Sequence, residues 1–186
     1  MAEWRAAGID GVRLAVNLSP AQFSDPDLPE RIAAILARTG LPASCLELEI
    51  TESIAMASPI DTEKVIRHLV SDGVSFSIDD FGTGYSSLSY LRQFPIQTLK
   101  IDRSFVKDVG DGNNASDICE ISILLAHKLG LDVVGEGVET SEQLEFLRRV
   151  GCEKVQGFLV GKPLSAGATE QALRACQPQR LNPGQE

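Results

Sequence analysis

Two adjacent carboxylates, Asp79 and Asp80, end the alternating run Val74-Ser75-Phe76-Ser77-Ile78 and lead into Phe81-Gly82-Thr83-Gly84-Tyr85. Neighbouring acids at the end of a buried strand repel each other and lose hydration, and a cation between them lets both stay ionised. An acidic turn would give the same pair with no chemistry attached. The placement recurs, however. Asn17 closes Leu14-Ala15-Val16, Glu49 sits in Leu46-Glu47-Leu48-Glu49-Ile50-Thr51-Glu52, and Lys100 and Asp102 lie near the end of Leu99-Lys100-Ile101-Asp102. Glu136 follows Val133-Val134-Gly135, and Gln156 lies in Val155-Gln156-Gly157-Phe158. Polar groups set repeatedly into apolar strands cost stability unless they are paired or bound to metal.

Carboxylate and amide oxygens without Cys or His select hard cations, Mg²⁺, Mn²⁺ or Ca²⁺. Asn17, Glu49 and Asp79 could hold one ion; Asp79, Asp80 and Glu136 could hold a second, with Asp79 bridging. Two ions about 3.5–4 Å apart stabilise the attacking and leaving oxygens of a phosphodiester displacement and acidify a bridging water. Lys100 would add a positive donor toward that water or the phosphate. It could equally pair with a neighbouring acid inside the fold.

These residues need elements that bring them together. Period-two patterning places six strands at Val12–Ser19, Leu46–Thr51, Val74–Asp80, Thr98–Asp102, Asp132–Gly137 and Lys154–Leu159. Helical patterns lie between them at Leu28–Thr39, Thr62–Ser71 and Ala115–Leu129, from Thr140 to Gly151, and at Ala166–Ala175. Regular β-α alternation implies parallel strands with right-handed crossovers, an α/β class. In a parallel barrel the C-terminal strand ends converge on one mouth, where residues distant in sequence share a site. The expected architecture is a TIM-like (β/α) barrel, incomplete, with about six of eight strands.

Composition bounds the function. The chain has 186 residues, 43% hydrophobic and 23% charged, enough for one sizeable core. No run of eighteen apolar residues suggests a membrane segment, and Met1-Ala2-Glu3-Trp4-Arg5 lacks a signal-peptide layout. A net charge of −9 argues against DNA or RNA polymers as partners, though not against a small phosphorylated ligand held through metal. Cys45, Cys119, Cys152 and Cys176 show no CxxC spacing, and His68 and His127 fall in helical patterns, so zinc and disulfide frameworks are not expected.

The motifs Val16-Asn17-Leu18-Ser19, Glu49-Ile50-Thr51-Glu52, Ile78-Asp79-Asp80-Phe81-Gly82-Thr83-Gly84-Tyr85-Ser86-Ser87, Leu99-Lys100-Ile101-Asp102, Gly135-Glu136-Gly137-Val138-Glu139 and Gln156-Gly157-Phe158 occur in one order, followed by Lys162-Pro163-Leu164. In that order the chain resembles the EAL domain, the cyclic di-GMP phosphodiesterase module of bacterial signalling proteins, from about Trp4 to Ala175. The resemblance implies hydrolysis of cyclic di-GMP to linear pGpG with Mg²⁺ or Mn²⁺ at a two-metal site, in the bacterial cytoplasm. It implies Asn17, Glu49, Asp79, Asp80 and Glu136 as metal ligands, with Lys100, Asp80 and Glu136 as the catalytic set. Gln156, Glu139 and Asp102 would support the site, and Glu52 would hold the loop Phe81–Leu91, which takes part in dimerisation.

One feature of the family is missing: no Glu-Ala-Leu sequence occurs in the chain. In the family that Glu completes the first metal site, and an Arg just after it contacts ligand phosphate. The expectation is therefore an N-terminally truncated domain over residues 1–176 with a disordered tail over 177–186, a weakened first metal and impaired turnover. Open strand edges would favour a homodimer or self-association through the edge or the loop 81–91. The competing reading is a non-catalytic module that binds cyclic di-GMP or a protein partner.

Overall fold

The computed structural model describes residues 1–83, 88–107, 109 and 115–176. Six strands, β1 (Leu14–Asn17), β2 (Leu46–Thr51), β3 (Ser75–Phe81), β4 (Thr98–Ile101), β5 (Asp132–Gly135) and β6 (Lys154–Val155), form one sheet in chain order. Every neighbouring pair is parallel. The sheet curls into a half-barrel, as the α/β alternation predicts, with β1 and β6 at its edges. The helices are α1 (Ala2–Ala6), α2 (Pro20–Phe23), α3 (Leu28–Thr39), α4 (Glu52–Ala57), α5 (Pro59–Ser71), α6 (Leu88–Leu91), α7 (Arg103–Lys107), α8 (Ala115–Lys128), α9 (Ser141–Arg149) and α10 (Ala166–Cys176).

Alternation along each strand separates two chemistries. Leu46, Leu48, Ile50, Phe76, Ile78, Leu99, Ile101 and Val133 share the buried core with Ile32 of α3, Ile66 and Leu69 of α5, Ile123 of α8 and Leu147 of α9. The intervening positions, among them Glu47, Glu49, Ser77, Asp79, Thr98, Lys100 and Asp132, belong to the opposite, inward face of the curl. The core therefore lies between sheet and helices, and the polar row lies inside the half-barrel.

Several boundaries differ from the sequence expectation for identifiable reasons. β1 stops at Asn17 rather than Ser19, because the Ser19 hydroxyl accepts from the Gln22 N–H and caps α2. α5 starts at Pro59 rather than Thr62, since proline suits the first helical turn. The short helix α4 was not anticipated; the Thr51 hydroxyl accepts from the Ile54 N–H and starts it directly from β2. β3 continues past Asp80 to Phe81 through a shift in register between Ile78 and Phe81. β5 ends at Gly135 and β6 spans only Lys154–Val155. The 177–186 tail and residues 84–87 of the expected loop lie outside the described residues.

The chain just past β6 is sterically tight. A methyl at Gly157 would lie 2.1 Å from the Val138 carbonyl oxygen and 2.3 Å from its nitrogen. Backbone packs on backbone there, while Gln156 bridges Gly135 and Val138. Gly157→Ala is expected to cost about 1–3 kcal/mol by overpacking, several degrees in Tm at roughly 2–4 °C per kcal/mol. Gly161→Ala, which meets nothing within 4 Å, is the control and should leave Tm nearly unchanged. Thermal melts of both variants check this; equal Tm values would contradict the packing account.

Candidate metal centre

Lys100 projects from β4 into the inward row, and its side chain is 6% exposed. Its Nζ lies 2.8 Å from Glu49 Oε2, 2.8 Å from Glu136 Oε1 and 3.2 Å from Asp79 Oδ1. An ammonium has three N–H donors, so each can meet one carboxylate. The register explains the meeting. Glu49 pairs with Ser77, two residues before Asp79 on the same face, and Lys100 pairs with Val134, two residues before Glu136. Glu136 is held just past β5 by its N–H, which donates to the Ile101 carbonyl at 3.2 Å.

The electrostatics are strained. Burial works against the Lys100 charge, but hydrogen bonds to Glu136 and Glu49 and the charges of Glu136 and Asp79 outweigh it, and its pKa is raised. Burial pushes the Glu136 carboxyl up; Lys100 pulls it down, and Asp79 and Glu49 push it up again, leaving it above the ordinary value. Asp80 is raised by burial and by the like charges of Asp79 and Asp102. Burial also acts to raise Asp102, but hydrogen bonds from Ser104 and the Arg103 N–H prevail and lower it. Asp80 is the one described non-glycine residue with positive φ, at 54°, a region that Asp and Asn tolerate better than most residues. Its N–H donates to Asp79 Oδ1 at 3.0 Å.

These residues suit a hard cation. Asp79, Asp80 and Glu136 each offer an oxygen, and the three oxygens lie within 4.8 Å of one another. With Glu49 added, four carboxylates face one ammonium among the described residues, so the group is short of positive charge. The donors are oxygens alone, which favours Mg²⁺, Mn²⁺ or Ca²⁺ over softer metals.

The other expected site residues are not part of this bonded group. Asn17 is exposed at the end of β1, in register with Glu49. Gln156 and Glu139 are exposed. Among the described residues, the side chains of these three make no hydrogen bond or ion pair with the cluster. Glu52 is 2% exposed at the start of α4, and its Oε2 accepts from the Gly82 N–H at 3.0 Å. It thus ties α4 to the end of β3. For Lys100 the structure shows the second of the two sequence readings, pairing with neighbouring acids. Ser77 was not singled out by sequence, yet its fully buried hydroxyl lies in the same inward row without a partner among the described residues. Its signal was the alternation that places it beside Glu49.

Comparison with known proteins extends this picture. Residues 1–163 match the EAL domain family. The chain is 46% identical over 169 residues to the cyclic di-GMP phosphodiesterase NbdA of Pseudomonas aeruginosa, covering 91% of this chain and 22% of that protein. The chain spans between a fifth and a quarter of the length of the curated relatives it matches. Among solved structures, PaMucR phosphodiesterase in its c-di-GMP complex superposes with a TM-score of 0.88 at 42% identity, covering 91% of this chain and 68% of that one. Klebsiella pneumoniae BlrP1 in a manganese and cyclic di-GMP complex matches with a TM-score of 0.75 at 33% identity, covering 85% and 41% of the respective chains.

The surplus of negative charge has a stability consequence in metal-free protein. Because the Asp80 pKa is raised by folding, its charged form penalises the fold above that pKa, and the penalty vanishes once pH falls below the ordinary carboxylate range. Asp80→Asn is expected to raise Tm in EDTA at pH 7, and the gain should shrink on acidification and close by about pH 3, below the ordinary carboxylate range. Asp80→Ala removes the same charge but meets the positive φ, at a cost of about 1–2 kcal/mol, and should melt below Asp80→Asn at both pH values. Melts of the three proteins in EDTA check the order.

Proposed function

The chain belongs to the EAL domain family, and from that premise we propose that it hydrolyses cyclic di-GMP to linear pGpG at the Lys100 cluster. The observation that carries the reading is the convergence of Asp79, Asp80 and Glu136 within 4.8 Å at the C-terminal ends of parallel strands. The fold places active sites at that end, and the likeness to PaMucR in its c-di-GMP complex supports the substrate.

Bound divalent ions would supply Lewis-acid polarisation of the phosphodiester and an acidified water. Asn17, Glu49 and Asp79 would hold one ion, and Asp79, Asp80 and Glu136 the other. Two carboxylates and an amide bind a hard cation more weakly than three carboxylates, so the first ion is the looser one. Lys100 directs its ammonium at the water or a phosphate oxygen. Gln156 and Glu139 support the substrate from the rim, Asp102 keeps its negative charge beside Asp80, and Glu52 anchors Gly82. In the reaction the oxygen of water forms one P–O bond as one P–O ester bond breaks, and the departing sugar hydroxyl takes a proton. The dianionic substrate would be repelled by the bare cluster, so binding itself depends on the ions.

Mg²⁺ or Mn²⁺ is the proposed pair, with manganese supported by the BlrP1 complex. The proposed setting is the bacterial cytoplasm, and no helix among the described residues is long and apolar enough to cross a membrane. Self-association is proposed through the loop 81–91 or the open edge of β1, where Leu14 is 39% and Val16 36% exposed.

The test is incubation of the purified chain with cyclic di-GMP and Mn²⁺, with chromatographic detection of pGpG. Glu136→Ala is expected to lower the rate about 10²-fold or more, comparable with loss of one electrostatic partner of the transition state, and EDTA should abolish both binding and turnover. Saturable binding without product would instead favour the non-catalytic module.

A further inference from the structure

The ammonium of Lys100 occupies ground that the metal reading needs. It bonds Glu49 of the first ion's set, Glu136 of the second and Asp79, which both share. A hard cation such as Mg²⁺ draws its oxygens to about 2.0–2.1 Å. Here the same oxygens stand 2.8–3.2 Å from Nζ, the spacing of charge-assisted hydrogen bonds. An ammonium this close to all three carboxylates opposes the entry of divalent ions among them, because like charges a few ångströms apart in a buried site repel strongly.

From this geometry we infer that Lys100 is a tethered counter-ion of the metal-free centre, displaced from Glu49, Asp79 and Glu136 when divalent cations enter, so that the chain's own ammonium competes with the metal. The inference rests on the reading of the cluster as a divalent-metal site. It goes beyond a water-orienting part for Lys100, because that part alone predicts no competition.

The surroundings allow the exchange. Lys100 is fixed at its backbone in β4 between β3 and β5, and Thr98 and Leu99 before it are buried, so the strand does not yield. The four-carbon stem can change rotamer and draw Nζ back while keeping its charge near the site. The ammonium pairs with one carboxylate from each of three chain segments (β2, β3 and the residue after β5) and so offsets their mutual repulsion when metal is scarce. Metal affinity is then lower than the carboxylate set alone would give, and the loading threshold is set by one side chain.

The experiment is calorimetric titration of Mn²⁺ into metal-stripped wild type, Lys100→Met and Lys100→Arg, with melts of each in EDTA and in saturating Mn²⁺. Lys100→Met removes the competitor and should tighten the Mn²⁺ Kd at least about tenfold. It should also lower Tm in EDTA and enlarge the rise in Tm on adding Mn²⁺, since the bound ion then replaces the missing charge. Lys100→Arg keeps a cation and should hold Kd within about threefold of wild type. If Lys100→Met does not fold without metal, the double variant Lys100→Met with Glu49→Gln, which removes one acid together with the lysine, is titrated against Glu49→Gln. An unchanged or weaker Kd on removal of the lysine overturns the inference. A wild type that cleaves cyclic di-GMP while Lys100→Met shows no tightening leaves the proposed function standing and sinks the counter-ion. A wild type that cleaves nothing while Lys100→Met tightens does the reverse, and a wild type that takes up no Mn²⁺ overturns the inference together with the metal reading.

Discussion

The molecule turns on one buried ammonium set among carboxylates that outnumber it. Taking a lysine to 6% exposure carries a desolvation cost of several kcal/mol unless its donors are met by charge. Here each donor is met, and Glu49, Asp79 and Glu136 are in turn relieved of part of their repulsion. Replacing such a group with apolar side chains would commonly leave a fold as stable or more so. Its presence is therefore better explained by what the acids bind than by what they add to the fold.

Keeping that group in register is the work of the sheet. Parallel pairing with no strand crossing places Glu49, Asp79, Lys100 and Glu136 within one neighbourhood although Lys100 is 51 residues from Glu49. The opposite face supplies the rigidity, since Leu48, Ile50, Phe76, Ile78, Leu99, Ile101 and Val133 are almost fully buried against the helices. A one-residue slip of β3 or β4 would exchange Asp79 or Lys100 with Ile78 or Leu99 and lose core and site together. The apolar face thus specifies the polar one.

Much of this was legible in the sequence, because alternation carries both pieces of information. The polar residue in each strand marked the inward face, and the apolar ones marked the core, so the six-stranded parallel order and the cluster members could be read from pattern. What pattern could not supply was distance. Nothing in Leu99-Lys100-Ile101-Asp102 says that Lys100 reaches three acids while Asp102 turns to Ser104. Helix α4 was hidden because its start abuts β2 without a glycine or proline between them, and Thr51 ends the strand and caps the helix at once. The close approach of Gly157 to Val138, nineteen positions apart, is likewise one that a local window does not contain.

The inward row also separates its two ends by charge, and the contrast argues for where chemistry belongs. Toward the N-terminal ends of the strands, Arg13 faces Glu47 at 3.5 Å and Lys154 faces Asp132 at 2.8 Å. Acid and base are matched one to one there, with Arg13, Lys154 and Asp132 well exposed, and such pairs contribute little to stability. Toward the C-terminal ends, along the same faces of β2 and β5, Glu49 and Glu136 join Asp79 and Asp80 around Lys100, the one cation paired with them among the described residues. The same strands that balance charge at one end leave it unbalanced at the other, where the Glu49 and Asp79 side chains are only 9% and 13% exposed. An imbalance placed where solvent compensates least favours entry of multivalent cations from outside, which would be attracted to one mouth of the half-barrel and not to the other.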